Sequence, residues 1–163
     1  MLIREATSDD WPAIWPFLRR ICAAGETFTY PRDLDEEQAR SMWLLQPPGR
    51  TVVATAPDGT VLGTAKTNPN QMGPGAHICS ASFMVAPEHS GRGTGRALVE
   101  HALDWASAEG YHAMQFNAVA ETNIHAVALY RSLGFEVLGT VPEAFHHPAK
   151  GYVGLHIMYR RLD

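Results

Sequence analysis

A chain of 163 residues with 45% hydrophobic and 18% charged side chains has the size and composition of one globular domain with a substantial core, so a single domain over residues 1–163 is expected. A formal charge of −4 leaves no basic excess for general binding to nucleic acid or to an anionic membrane, so neither partner is expected and any anion site must be local. With no basic N-terminal region leading into an apolar run, and no segment approaching a membrane span, the expectation is a cytoplasmic protein.

Leu2 to Ala6 forms a short strand, and Thr7 with Asp10 three residues later gives a plausible N-cap for the helix that follows. Trp11, Ile14, Leu18 and Ile21 recur at helical spacing; Pro12 suits an early turn, Pro16 should kink the helix, and Gly25 ends it. Gly25 to Pro31 is an aromatic, β-leaning segment that sets Phe28 and Tyr30 over a pocket or simply into packing. Asp35-Glu36-Glu37 opens a second helix with Ala39, Met42 and Trp43 inward, stopped by Pro47-Pro48-Gly49. Thr51 to Ala56 and Val61 to Lys66, joined by Pro57-Asp58-Gly59, predict a β-hairpin. Asn68 to Ala76, rich in Pro, Gly and Asn, predicts a loop.

His77 to Val85 is the next strand, with Ile78, Phe83 and Val85 on one side and Ser80 and Ser82 on the other. After a glycine-rich turn, Leu98, Ala102 and Trp105 mark a helix closed by Gly110; a strand over Met114 to Val119 and a short helix over Asn123 to Leu133, capped by Gly134, follow. Phe135 to Val141 and Tyr152 to Arg160 supply two last strands, separated by a polar loop with His146, His147 and Lys150. The order β-α-α-β-β-β-α-β-α-β-β implies a mixed sheet covered by helices. Cys22 and Cys79 fit no metal or redox spacing and read as packed thiols, and no metal is expected.

The turn itself carries the chemistry. Gly91, Gly93 and Gly95 leave backbone N–H groups unshielded at a helix start, where the dipole favours an anion, and Arg92 and Arg96 add positive charge. No Gly-Lys-Ser/Thr completes a P-loop, and Arg96 stands where a dinucleotide fingerprint needs its third glycine. A glycine-rich connection with two solvated arginines remains the alternative.

Two motifs resemble the GNAT superfamily of acyl-CoA-dependent N-acetyltransferases over essentially the whole chain. Ser90-Gly91-Arg92-Gly93-Thr94-Gly95 is similar to the family's Arg/Gln-x-x-Gly-x-Gly/Ala acetyl-CoA motif, with Ser90 in place of Arg or Gln, and Asn123-x-x-Ala126-x-x-Leu129-Tyr130-Arg131-Ser132-Leu133-Gly134-Phe135 is similar to its next motif. The resemblance implies a single-domain α/β GNAT-like fold, with a mixed, mostly antiparallel central sheet that splays into a V and is flanked by helices. It implies acetyl-CoA as cosubstrate, with the pantetheine arm on the main chain of Phe83, Met84 and Val85 and the pyrophosphate on backbone N–H groups from Gly91 through Arg92, Gly93, Thr94 and Gly95 to Arg96. Asn123 would contact the pantetheine arm and Tyr130 would protonate the departing thiolate. Arg92 or Arg96 would compensate for Ser90.

Direct transfer to an amine needs a base. Glu26 is the leading candidate for it, with a solvated loop carboxylate as the alternative and His77, His125, His146 and His147 as further candidates. Ala76 to Val85, Phe116-Asn117 and Asn123 are similar to acetyltransferases of proline analogues such as azetidine-2-carboxylate, and Glu26 to Thr29 to the phosphinothricin type. These resemblances imply a small amino-acid-like amine acceptor touching Glu26, Phe28, Ser80 and Asn117. Acetylation of a protein N-terminus or lysine, and a non-catalytic CoA-binding sensor, are the competing readings. Exposed aromatic residues and the C-terminal strands leave room for a homodimer.

Overall fold

A computed structural model describes all of residues 1–163. Seven strands form one sheet in the order β1-β2-β3-β4-β5-β7-β6: β1 is Leu2–Glu5, β2 Arg50–Thr55, β3 Val61–Pro69, β4 Ile78–Val85, β5 Ala113–Ala120, β6 Glu136–His147 and β7 Gly151–Arg161. Four α-helices accompany them: α1 Trp11–Ala24, α2 Glu36–Trp43, α3 Thr94–Ala108 and α4 Ile124–Ser132. Neighbouring strands run antiparallel except β4 and β5, which are parallel and paired only at Ile78↔Ala113 and Cys79↔Met114. Beyond Cys79, β4 stays with β3 and β5 stays with β7, so the sheet opens into the expected V.

Two large cores hold the layers, with a smaller cluster of Val52, Ala54, Ala65 and Leu98 where α3 meets β2 and β3. Trp11, Ile14, Phe17 and Leu18 of α1 and Trp43 of α2 pack with Val53 and Met84 on one side of the sheet. Val99, Ala102, Leu103 and Ala106 of α3 pack with Cys79, Met114, Phe116 and Met158 on the other. The Thr7 cap forms as expected around a short 3₁₀ turn before α1: Asp10 accepts from Thr7 N at 2.8 Å and from both Arg4 guanidinium nitrogens at 2.8 and 2.9 Å. Its carboxyl is held below the usual carboxylate range chiefly by the Arg4 hydrogen bonds. Both cysteines are free and buried.

Several expectations are corrected. α1 runs through Pro16 to Ala24; the carbonyl left free is that of exposed Pro12, in the first turn, where solvent can satisfy it. Gly25 to Pro31 forms no strand. α2 stops at Trp43, before the prolines, because Thr51 Oγ1 donates to the Trp43 carbonyl and accepts from Leu45 N at 3.0 Å. Asn68 and Pro69 belong to β3, since Asn68↔Ser80 and Pro69↔Cys79 continue its ladder with β4.

That ladder is regular, so Ile78 shares a face with Ser80, Ser82 and Met84, while Cys79, Ala81, Phe83 and Val85 share the other. His146 and His147 lie in β6 rather than in a loop. Phe145 and His147 are buried and His146 is exposed, stacked on Tyr152 at 4.4 Å between centroids.

Candidate active site

The V between β4 and β5 holds two adjoining cavities. One, of about 250 Å³, is lined by the Thr27–Tyr30 segment, Ser80 to Phe83 of β4, Phe116 to Ala120 of β5, Asn123 and Tyr130. The other, of about 510 Å³, is lined by Arg20, Glu26, Thr27, Phe28, Phe83 to Val85, Ser90 and Asn123 among others. Thr27, Phe28, Phe83 and Asn123 border both. A larger cavity of about 640 Å³ lies between α2 and the β1 edge; it holds none of the sequence-predicted site residues.

Tyr130 sits where the cavities are most aromatic. Its ring lies 4.5 Å from Phe116, 5.9 Å from Phe135 and 6.3 Å from Phe83, centroid to centroid. Burial pushes its phenol up to about 12, so it carries its proton throughout the neutral range. Asn123 precedes α4, its backbone N–H donating to Ala120 O and its carbonyl accepting from Val127 N, which leaves its side-chain amide facing the cavities.

Hydrogen-bond alternation decides which β4 backbone groups are free. Ala86 N donates to Leu62 O and Asn70 N to Ile78 O, so even-numbered residues of β4 face β3. The N–H and C=O of Phe83 and Val85 therefore point toward the V, where no strand meets them. Met84, expected beside them, presents its main chain to β3 and buries its side chain at 2% exposure.

The glycine turn forms as expected but for separate reasons at each glycine. Gly91 and Gly93 have φ of 74° and 83°, which L side chains rarely adopt, and a Cβ at either would meet nothing within 4 Å. Gly95 lies inside α3, and its Cβ would make only ordinary contacts with Val85 and Leu129 at 3.7 and 3.8 Å. Nothing in the fold itself therefore requires glycine at position 95. Thr94 is buried, Ser90 Oγ donates to Pro87 O at 2.9 Å, and Arg92 is exposed without an ion pair. Arg96 instead joins α3 to α4, donating to Ser132 Oγ at 2.9 Å and lying 3.7 Å from Glu100.

Among the acceptor candidates, Phe28, Ser80 and Asn117 line the smaller cavity, whereas exposed Glu26 lines the larger one and is absent from the wall around Tyr130. Asn117 sits at a bulge in β5 between Phe116 and Val119, donating to Asn70 Oδ1 at 2.7 Å and accepting from Gln115 at 3.0 Å. None of the candidate histidines lines either cavity. His77 packs on His112, His125 is exposed on α4, His146 stacks on Tyr152, and His147 Nδ1 accepts from Ala149 and Lys150.

Two neighbours of the site carry no signal in the sequence: Ser82, in the wall of the smaller cavity, and Asn70, which accepts from Asn117. Asn70 was hidden in an apparent loop, although β3 running on to Pro69 is what brings it to Asn117. No group of His, Cys, Asp and Glu side chains suited to a metal occurs, and no helix is long and apolar enough to cross a membrane.

Comparison with known proteins agrees with this geometry. The family model described as acetyltransferase (GNAT) family matches residues 6–135. A GCN5-related N-acetyltransferase from Kribbella flavida is 59% identical, with a TM-score of 0.96 over 98% of this chain and 96% of that one. The yncA protein of Salmonella typhimurium, solved with its cofactor acetyl-CoA, is 26% identical with a TM-score of 0.83 over 100% of this chain and 94% of that one. The N-acetyltransferase aca1 of Schizosaccharomyces pombe is 34% identical over 60% of this chain and 47% of its own length. The chain spans between 13% and 57% of the curated relatives it matches. With its splayed sheet, its glycine turn and a family match covering most of its length, the chain belongs to the acetyltransferase (GNAT) family.

Proposed function

We propose that the protein transfers an acetyl group directly from acetyl-CoA to the amine of a small, amino-acid-like acceptor. The observation that carries this reading is the pair of joined cavities across the V. One side offers the free main chain of Phe83 and Val85 and reaches Ser90, the residue before the turn from Gly91 to Arg96, and the other is a small pocket around Tyr130 with Phe28, Ser80 and Asn117 in its wall. The residues fit acetyl-CoA: unpaired strand amides and carbonyls suit a pantetheine arm, and N–H groups at a helix start suit a pyrophosphate.

The amine nitrogen attacks the thioester carbonyl carbon as a C–N bond forms and the C–S bond breaks. Tyr130 gives its proton to the leaving sulfur, and the amine proton passes to a base, for which Glu26 acting through water from the neighbouring cavity is our candidate. Asn123 holds the pantetheine arm at the junction, and Arg92, the unpaired arginine of the turn, supplies the charge that Ser90 does not. Neither thiol has a role; Cys79, deeply buried, is pushed up to about 12. A homodimer through the β6–β7 hairpin, where Leu138, Val141 and Tyr152 are exposed, and a cytoplasmic location complete the reading. Light scattering that gave the mass of one chain would remove the dimer.

The deciding experiment measures CoA release with a panel of amino acids, proline analogues, polyamines and peptides. Turnover confined to amino acids and their analogues supports the proposal. Preference for peptides favours protein acetylation, and tight acetyl-CoA binding without release above background favours a sensor.

A further inference from the structure

The smaller cavity has fifteen lining residues and no charged side chain among them, yet a cation stands directly behind its wall. Lys66 of β3 pairs across the ladder with Ser82 of β4, which puts both side chains on the α1/α2 face of the sheet. Its ammonium lies 5.4 Å from the centroid of Tyr30 and 5.3 Å from that of Trp43, and donates to Met42 O at 2.9 Å. No carboxylate pairs with it. Burial lowers its pKa from the ordinary lysine value.

A cation withdrawn from water without a counter-ion is costly, and an apolar side chain of the same length between those rings would serve packing better. The Met42 carbonyl at the C-terminal end of α2 and the two ring faces hold this charge in place, and no carboxylate neutralises it. Tyr30 and Ser82 both line the cavity, and both neighbour Lys66, Tyr30 by its ring face and Ser82 across the ladder. Burial pushes the Tyr30 phenol up to about 12, with the Ser82 side chain acting in the opposite sense, so the phenol is a retained donor. Phe28 stacks on Tyr30 at 5.6 Å and fixes its ring.

We propose that Tyr30 and Ser82 form the subsite for a carboxylate on the acceptor, and that Lys66 is the positioning residue that makes this subsite electropositive from behind the Tyr30 ring. The inference rests on the proposed acetyl transfer to an amino-acid-like acceptor and names where that acceptor's anionic group is held. The hydroxyls donate to the carboxylate; Lys66 never touches it but supplies the compensating charge through the aromatic layer, where the low dielectric keeps the attraction strong. The amine is then left free to face the thioester beside Tyr130.

The test compares kcat/KM for each amino acid that turns over with that for its own amide, at saturating acetyl-CoA. The wild type is expected to favour the acid. In Lys66→Met and in Tyr30→Phe the acid-to-amide ratio should fall about tenfold through a rise in KM for the acid, and Lys66→Arg, which keeps the charge, should restore most of it. A ratio unchanged in both Lys66→Met and Tyr30→Phe overturns the subsite, since a merely structural lysine would depress acid and amide alike. If no amine is acetylated although acetyl-CoA binds, the transferase reading fails on its own. Calorimetry with N-acetylleucine then decides the subsite: weaker binding to Lys66→Met supports it, and equal binding overturns it.

Discussion

Tyr130 shows how one side chain's surroundings set its chemistry. A phenol among Phe83, Phe116 and Phe135 pays for burial only if it stays neutral, and with its pKa raised to about 12 it remains a proton donor at any pH below that value. Tyr130→Phe keeps the ring packing and removes the proton. Turnover should fall about 100-fold, the usual order for a lost general acid, with the acetyl-CoA dissociation constant unchanged. Any alkaline limb of the wild-type rate below pH 10 lies too low for this phenol, so it should persist in the variant's residual activity; turnover equal to wild type would remove Tyr130 as the acid.

Two element ends make separate predictions. At the entry to α1, Asp10 is 7% exposed and serves Arg4 and the Thr7 amide at once. Its folded pKa is depressed, so its contribution is complete above the ordinary carboxylate value of about 3.9 and is lost as pH falls through the folded value. Asp10→Asn, which loses the charge-assisted bonds to Arg4, should cost about 1–2 kcal/mol at pH 7, and its melting temperature should fall less than the wild type's between about pH 5 and 2; parallel melting curves against pH would contradict the assignment. At the entry to α3, Gly95→Ala fits the helix and should raise stability by about 0.5 kcal/mol, while weakening acetyl-CoA binding at least tenfold in calorimetry. Unchanged affinity would show that no ligand lies against Gly95.

These elements were legible from the sequence because their signals are local: caps, helical periodicity, glycines at positive φ. Residues whose place depends on a partner strand were not. Ile78 is apolar like Phe83 and Val85, yet strand parity puts it on the face of Ser80 and Ser82. His146 and His147 read as loop because a polar edge strand broken by Pro142 offers solvent much the same pattern as a turn. The glycine turn and Tyr130 are visible as motifs, but Asn70 comes to Asn117, and Lys66 to the back of Ser82 and Tyr30, only through the β3–β4 register, which no periodicity within β3 discloses.

For the whole molecule, the decisive fact is that β4 and β5 meet at only two residue pairs, so the halves of the sheet are joined by strand pairing only at the closed end of the V, with α3 packing on both. A ligand that pairs with β4 there would stand in for the missing strand. This makes hydrogen exchange of individual β4 amides a test of the arrangement. In the free protein the Met84 amide, turned toward β3, should exchange slowly, while those of Phe83 and Val85, turned toward the V, should exchange faster. On adding acetyl-CoA, protection should appear at Phe83, Val85 or both, with little change at Met84. The melting temperature should rise as well, by an amount that grows with ligand concentration as binding linkage requires. Protection rising equally at all three amides would mean that the strand stiffens as a body, and main-chain pairing in the V would then be the wrong account of how the cosubstrate is held.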